Sequence, residues 1–308
     1  MLQAGRSGFR GIYPMVYSLF DSGGQLSRSA MRCQLTALAA SGAHGIAVLG
    51  LASEVNKLTL RERRILLDWV AEDRPSNLPL AATVAEPSID GQIEFVKEAA
   101  KLGASWVILQ PPQVTGIPEA ELIRFFGAVA EKSPVPVGIQ NAPQYLGVGL
   151  SPKGLATLAR VHPNVTIAKL EATALGVQQV IEESDGALDV FNGRGGIEMI
   201  DSLRAGAVGI IPGAETTDIL VKVFNAMAVG DAATADDHYA TVLPLLTFLM
   251  DSMDSFLVYG KQVMGRRLSM TEMSVRVPYT PASKFGETLV ARYVAKLPSF
   301  PSMSVVAK

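Results

Sequence analysis

The sequence predicts an α/β chain built as a (β/α)8 TIM barrel with a C-terminal helical extension. Three observations carry this. Short, nearly continuous apolar runs alternate with longer segments of helical spacing. Eight such pairs fill about 230 residues, which suits one barrel domain. Beyond residue 230 the patterns are helical only. The expected domains are therefore a barrel over 8–230 and a helical extension packed on it over 231–308. A doubly wound sheet is the alternative, but the first strand–helix junction lacks the GxGxxG of a dinucleotide site.

The expected strands are Gly11–Leu19, Gly45–Gly50, Leu80–Ala85, Trp106–Pro111, Val137–Ala142, Thr166–Glu171, Leu188–Gly193 and Gly209–Gly213. Their continuous apolar character suits parallel strands covered on both faces. The first helix starts after Ser27 as N-cap and ends near Gly42. Thr59 and Glu62 have the spacing of a capping box. Further helices fit Ser88–Leu102, Pro118–Lys132, Ser151–Val161, Thr173–Glu183, Gly196–Ala205 and Thr216–Val229. Ser41-Gly42-Ala43, Leu102-Gly103-Ala104 and Ala205-Gly206-Ala207 repeat one helix-stop pattern, with glycine free to take the left-handed position. In the extension, helical spacing covers Ala232–Met253, Ser255–Met264 and Ala282–Lys296, with prolines 278, 281, 298 and 301 interrupting the tail.

Charge and composition exclude several classes. Lys plus Arg is 27 and Asp plus Glu is 29, a net charge of -2 with no basic run. That gives no electrostatic case for nucleic acid or an anionic membrane. The one cysteine, Cys33, excludes an intrachain disulfide and a cysteine-built zinc site. His44, His162 and His238 lie far apart and form no ligand spacing, so no metal is expected. The N-terminus lacks a signal-peptide apolar region, and no apolar run approaches the ~20 residues of a membrane span. The expectation is a soluble, cytoplasmic protein. The apolar stretch near Val242–Met250 reads as a buried helix.

Catalytic groups of such barrels lie at the C-terminal ends of strands. There Lys169 stands out, inside Val165-Thr166-Ile167-Ala168-Lys169-Leu170-Glu171, whereas the other lysines fall on expected helices, loops or termini. An unpaired buried ammonium is unfavourable, and burial of an amine favours the neutral form, which attacks ketones. The alternative is a structural pair with Glu171. That carboxylate, two residues on and on the same strand face, is either a proton carrier beside the amine or its counter-ion. After the seventh strand, Asn192-Gly193-Arg194-Gly195-Gly196 either offers backbone N–H groups to an anion at a helix start or simply forms a tight turn. Arg194 either pairs with a carboxylate or faces solvent.

In this order the motifs resemble the dihydrodipicolinate synthase / N-acetylneuraminate lyase superfamily over roughly residues 8 to 265. Gly11-Ile12-Tyr13-Pro14-Met15-Val16 looks like its first strand. Gly50-Leu51-Ala52-Ser53-Glu54, with Leu58-Thr59 and Glu62-Arg63 after it, sits at its second-strand signature. Gln140-Asn141-Ala142-Pro143 sits at its Y-N-x-P motif, and Ile167-Ala168-Lys169-Leu170-Glu171 at its lysine strand. Gly193 and the stretch from Gly206 to Ile211 match strands seven and eight. The resemblance implies a Schiff base on Lys169, a small-molecule 2-keto acid substrate, no cofactor, and a homo-oligomer, dimer or tetramer.

The departures are equally informative. Gln140 stands where the family has its proton-shuttling tyrosine, and an amide exchanges no proton at neutral pH. Leu51 and Ala52 replace the two hydroxyl residues that bind the keto-acid carboxylate. Pro112 and Gln113 replace a tyrosine pair. The pattern is similar to the branch that contains 2-keto-3-deoxy-L-arabonate dehydratases. It implies dehydration of a 2-keto-3-deoxy sugar acid: Lys169 condenses with the ketone, Glu171 or a water takes the C3 proton, and the enamine expels the C4 hydroxyl. Catalytic roles are thus expected for Lys169, Glu171 and Gln140. Substrate contacts are expected from Ser53, Ala52, Asn141, Gly193, Arg194 and Gln113. A pyruvate-dependent aldolase is the second reading, and a non-catalytic small-molecule-binding barrel the third.

Overall fold

The computed structural model describes residues 5–271 and 273–301. The first residues of the expected N-terminus and residues 302–308 of the expected extension lie outside the described residues. Eight strands appear: β1 Gly11–Ile12, β2 Ile46–Val48, β3 Leu80–Val84, β4 Trp106–Leu109, β5 Val137–Asn141, β6 Val165–Leu170, β7 Asp189–Asn192 and β8 Gly209–Ile210. Between and after them run the helices α1 Arg28–Ala40, α2 Leu60–Asp73, α3 Ile89–Lys101, α4 Glu119–Ala130, α5 Pro143–Leu146, α6 Pro152–Val161, α7 Ala174–Ser184, α8 Met199–Arg204, α9 Thr217–Val229, α10 Ala232–Leu249, α11 Met253–Leu268 and α12 Lys284–Val294.

Local signals explain most boundaries. The Ser27 hydroxyl accepts from the Ala30 N–H and starts α1. Thr59 and Glu62 form both halves of the capping box of α2. Gly42, Gly103 and Gly206, the three repeated helix stops, all have positive φ. The first and last strands are shorter than expected. Pro14 and Pro212 have no N–H to donate, so the ladders end early and Met15 makes only isolated parallel bridges to Ala47 and Gly213.

The chain divides into two compact units. The first comprises residues 5–11 and 79–211 and holds β3 to β8. Neighbouring strands there pair in parallel and in chain order. Its core includes Val107, Ile108, Leu109, Val137, Ile139, Ile167 and Val190, each almost fully buried. Side chains of this size contribute roughly 1.5–3 kcal/mol each on leaving water, before entropy is counted. The Asp189 carboxylate also holds the N-terminal segment, accepting from the Arg6 and Ser7 N–H groups at 2.9 and 2.6 Å.

The second unit comprises residues 12–78 and 212–301 and holds β2 and the helices α1, α2 and α9 to α12. His44 is structural there: its Nδ1 accepts from the Ile12 N–H at 3.2 Å, and its ring meets Phe224 edge-on. Val242, Leu245, Leu246 and Leu249 of α10 are buried, as the apolar stretch suggested. No helix among the described residues is long and apolar enough to cross a membrane.

Candidate active site

The site is built on three neighbouring strands of the first unit. In the ladder, Gln140 of β5 pairs with Lys169 of β6, and Lys169 with Phe191 of β7. Lys169 is 4% exposed. Its Nζ donates to Glu171 Oε1. Glu171 is the sole hydrogen-bond partner of that Nζ among the described residues, so two of the three ammonium donors are uncommitted.

Glu171 lies just past the end of β6 and is clamped. Its second carboxylate oxygen accepts from the Arg194 backbone N–H. Its own N–H donates to the Asn141 carbonyl at 3.2 Å, and its carbonyl accepts from Gln144 Nε2 at 2.6 Å. Gly193 makes this approach feasible: a Cβ at that position would collide with the Glu171 carboxylate.

The glycine-rich loop after β7 closes as a tight turn, one of the two forms expected of it, and one of its backbone N–H groups, that of Arg194, is taken by the chain's own Glu171. The Gly193 N–H donates to the Leu170 carbonyl at 2.7 Å, and the Gly196 and Ile197 N–H groups close local turns. The helix starts at Met199 rather than Gly196, because Arg194, Gly195, Gly196 and Glu198 all have positive φ. The Arg194 guanidinium donates to Glu198 Oε1 at 2.6 Å, and Glu198 Oε2 accepts from the Ala174 N–H at 2.6 Å.

The other sequence-predicted residues differ in what they still offer. Gln140 is 1% exposed, and neither its Oε1 nor its Nε2 has a partner among the described residues. Asn141 is committed: its Nδ2 donates to the Leu150 carbonyl at 2.9 Å and its Oδ1 accepts from the Leu150 N–H at 2.8 Å. Gln113 is exposed in the loop after β4. Ala52 and Ser53 belong to the second unit, in a 3-10 turn after β2. The Ser53 hydroxyl donates its proton to the Val16 carbonyl at 2.6 Å and accepts from the Leu49 N–H at 3.0 Å, so it has no proton left for a carboxylate.

Three groups received no role from the sequence. Tyr145, half-buried on α5, sits within the electrostatic reach of Glu171 and Arg194. Burial raises its pKa, the Glu171 charge raises it further, and Arg194 opposes both. In the second unit, Tyr17 donates to a fully buried Glu215 at 2.7 Å, and burial raises the pKa of both. Lys261 lies on a helix, α11, as expected, and is 0% exposed. A helical lysine gives no period-2 signal, so only packing reveals it. No cluster of His, Cys, Asp or Glu among the described residues is arranged to hold a metal ion.

Residues 8–297 match the dihydrodipicolinate synthetase family, and the chain belongs to it. Members of this family are lyases that work through a lysine Schiff base, and this protein is such an enzyme. It is 25% identical over 292 residues to a 4-hydroxy-tetrahydrodipicolinate synthase of Methanothrix thermoacetophila, covering 94% of this chain and 97% of that one. It is 27% identical over 243 residues to an L-2-keto-3-deoxyarabonate dehydratase of Azospirillum brasilense, covering 77% and 78%. Among solved structures, YagE of Escherichia coli K12, a family member crystallised with pyruvate, superposes with a TM-score of 0.87 at 23% identity, covering 94% of this chain and 98% of that one. That likeness shows the fold.

Proposed function

We propose that the enzyme dehydrates a 2-keto-3-deoxy sugar acid through a Schiff base on Lys169, within a closed (β/α)8 barrel. The observation that carries this reading is the Lys169–Glu171–Gln140 arrangement: a buried amine with one carboxylate partner, beside an amide where a proton-shuttling phenol would stand. Dehydration needs an amine and a base, but no tyrosinate to take a proton from a retro-aldol hydroxyl.

The steps follow from the geometry. Lys169 Nζ passes a proton to Glu171 and attacks C2 of the substrate, and loss of water gives the iminium. Nζ is then bonded to substrate and Glu171 Oε1 is released from it. After returning its proton to the departing water, Glu171 takes the C3 proton to give the enamine. The enamine electrons expel the C4 hydroxyl, which leaves as water with that proton. Loss of a C5 proton and protonation at C3 turn this C3=C4 iminium into a C4=C5 enol. Hydrolysis of the imine then restores Lys169 and releases the keto acid, whose enol tautomerises to the semialdehyde. The Arg194 N–H holds Glu171 in place throughout, and Gln140 binds substrate hydroxyls.

Relatives support the substrate class through the dehydratase at 27% identity. A second reading, a pyruvate-releasing aldolase, rests on a relative named as a 2-dehydro-3-deoxy-D-gluconate aldolase, YagE of Escherichia coli K12, at 26% identity. Borohydride reduction in the presence of 2-keto-3-deoxy-pentonates, followed by mass spectrometry, should place an adduct on Lys169. Product analysis should then give a semialdehyde and no pyruvate. Pyruvate among the products would establish the aldolase reading, and absence of any adduct on Lys169 would sink both.

A further inference from the structure

Gln110, just past the C-terminal end of β4, lies in line with Lys169. Ile108 pairs with Gly138, and Gly138 with Ile167. Two residues further along each strand, on the same face, come Gln110, Gln140 and Lys169. Gln110 continues the ladder, donating its N–H to the Val84 carbonyl at 2.9 Å. Its carbonyl accepts from Nε2 of the fully buried Gln92 at 2.9 Å, which also donates to the Glu86 carbonyl at 3.0 Å, so this strand end is fixed from behind.

The side chains in this row are buried, and both glutamines keep unpartnered amide atoms. Gln110 is 5% exposed and its Nε2 has no partner among the described residues. Both polar atoms of Gln140 share that condition, so the two amides do not satisfy each other. Thr83, which pairs with Ile108 one level deeper, adds an unpartnered Oγ1. Buried amides without partners destabilise a protein, and apolar side chains of the same size would not. Retaining two of them side by side next to Lys169 indicates that something else completes their hydrogen bonds.

We propose that Gln110 and Gln140 form a neutral two-amide cradle that selects an uncharged, hydroxyl-bearing tail on the 2-keto acid and disfavours one ending in a second carboxylate. The inference rests on the reading of Lys169 as the Schiff-base residue. A hydroxyl both donates and accepts, and so satisfies an amide N–H and an amide carbonyl together. A second carboxylate would lose its water beside two neutral amides, since Lys169 is held by Glu171 and becomes an imine, and the Arg194 guanidinium is paired with Glu198. Asn141 cannot share this role, because Leu150 occupies its amide. Gln110 takes it instead.

The test compares trapping rates on Lys169 for three probes: a 2-keto-3-deoxy-pentonate, 2-oxopentanoate without the hydroxyls, and 2-oxoglutarate with a second carboxylate. In the wild-type enzyme the hydroxylated probe should be favoured over each by about ten-fold or more, the value of one net hydrogen bond or somewhat above. Gln110→Met should narrow both ratios to about three-fold or less, and should raise the Tm of the ligand-free protein, because an unpaired amide has been removed. A structural glutamine would instead lower the Tm. Gln140→Met carries the same test from the adjacent strand if the first variant does not fold. Unchanged discrimination, or a lower Tm in the folded variants, overturns the cradle. Pyruvate separates the two claims: wild-type protein that forms no pyruvate or keto-acid adduct on Lys169 fails the Schiff-base assignment, whereas normal adducts with unaltered discrimination fail the cradle alone.

Discussion

Two buried lysines, one in each unit, differ in how fully their ammonium groups are satisfied. Lys261 donates to the Ser18 and Ser274 carbonyls at 2.7 and 2.8 Å and to Glu54 Oε1, and lies over the Phe20 ring at 4.9 Å. All three of its protons are used. Lys169 is nearly as buried but has one partner, Glu171, and its strand neighbour Gln140 is an unpaired amide. Burial alone therefore does not mark a reactive lysine. The role proposed for Lys169 needs unused hydrogen-bonding capacity as well, because a saturated amine has no orientation left from which to attack a substrate.

The largest expected effect separates the two by function. Lys169→Ala should lower kcat by roughly 10⁴-fold or more, as loss of a covalent nucleophile does, with the far-UV spectrum and melting transition retained. Full activity would make Lys169 as structural as Lys261. The converse is Lys261→Met, which leaves the buried Glu54 carboxylate without its main partner. It should reduce stability by about 3 kcal/mol in urea unfolding. Lys169 should still be trapped by borohydride with substrate at low temperature. Loss of trapping in the folded variant would mean that Lys261 also belongs to the chemistry.

A smaller effect should come from Gly193→Ala. The added methyl meets the Glu171 carboxylate, so the base must shift. A displacement of about 1 Å should reduce kcat by up to about 100-fold while the Lys169 adduct still forms. An unaltered kcat would show that the clamp on Glu171 does not matter for turnover.

The smallest effect is a pH dependence. Burial lowers the pKa of Lys261 to about 8, with Glu54 opposing. Below that value both folded and unfolded states hold the proton, and the burial penalty is at full size. Between about 8 and 10.4 the unfolded chain keeps a proton that the folded chain has released, so stability rises with pH there. The Tm of the wild type should gain a few degrees over that of Lys261→Met between pH 7.5 and 9.5, roughly 2 kcal/mol. A constant gap would show that Lys261 does not titrate in this range.

By itself the sequence determined the alternation of eight strands with helices, the caps at Ser27 and Thr59, the three glycine stops and the lysine on β6. Each is a local signal: periodicity, a side chain bonding its own backbone, or a backbone conformation that glycine adopts freely. It also placed Gln140 where a known family has its tyrosine, because the motif order resembled that family. Tertiary structure alone decided the rest. Pairing across strands and turns showed that Asn141 and the Ser53 proton are committed elsewhere, and that one N–H of the glycine-rich loop is taken by Glu171. It showed Lys261 buried and satisfied, Tyr145 under the electrostatic influence of Glu171, and Gln110 in line with Lys169. The physical reason is that a residue's chemistry depends on which hydrogen bonds its neighbours leave open. Those neighbours come from strands and loops far apart in the chain, where no local pattern records them.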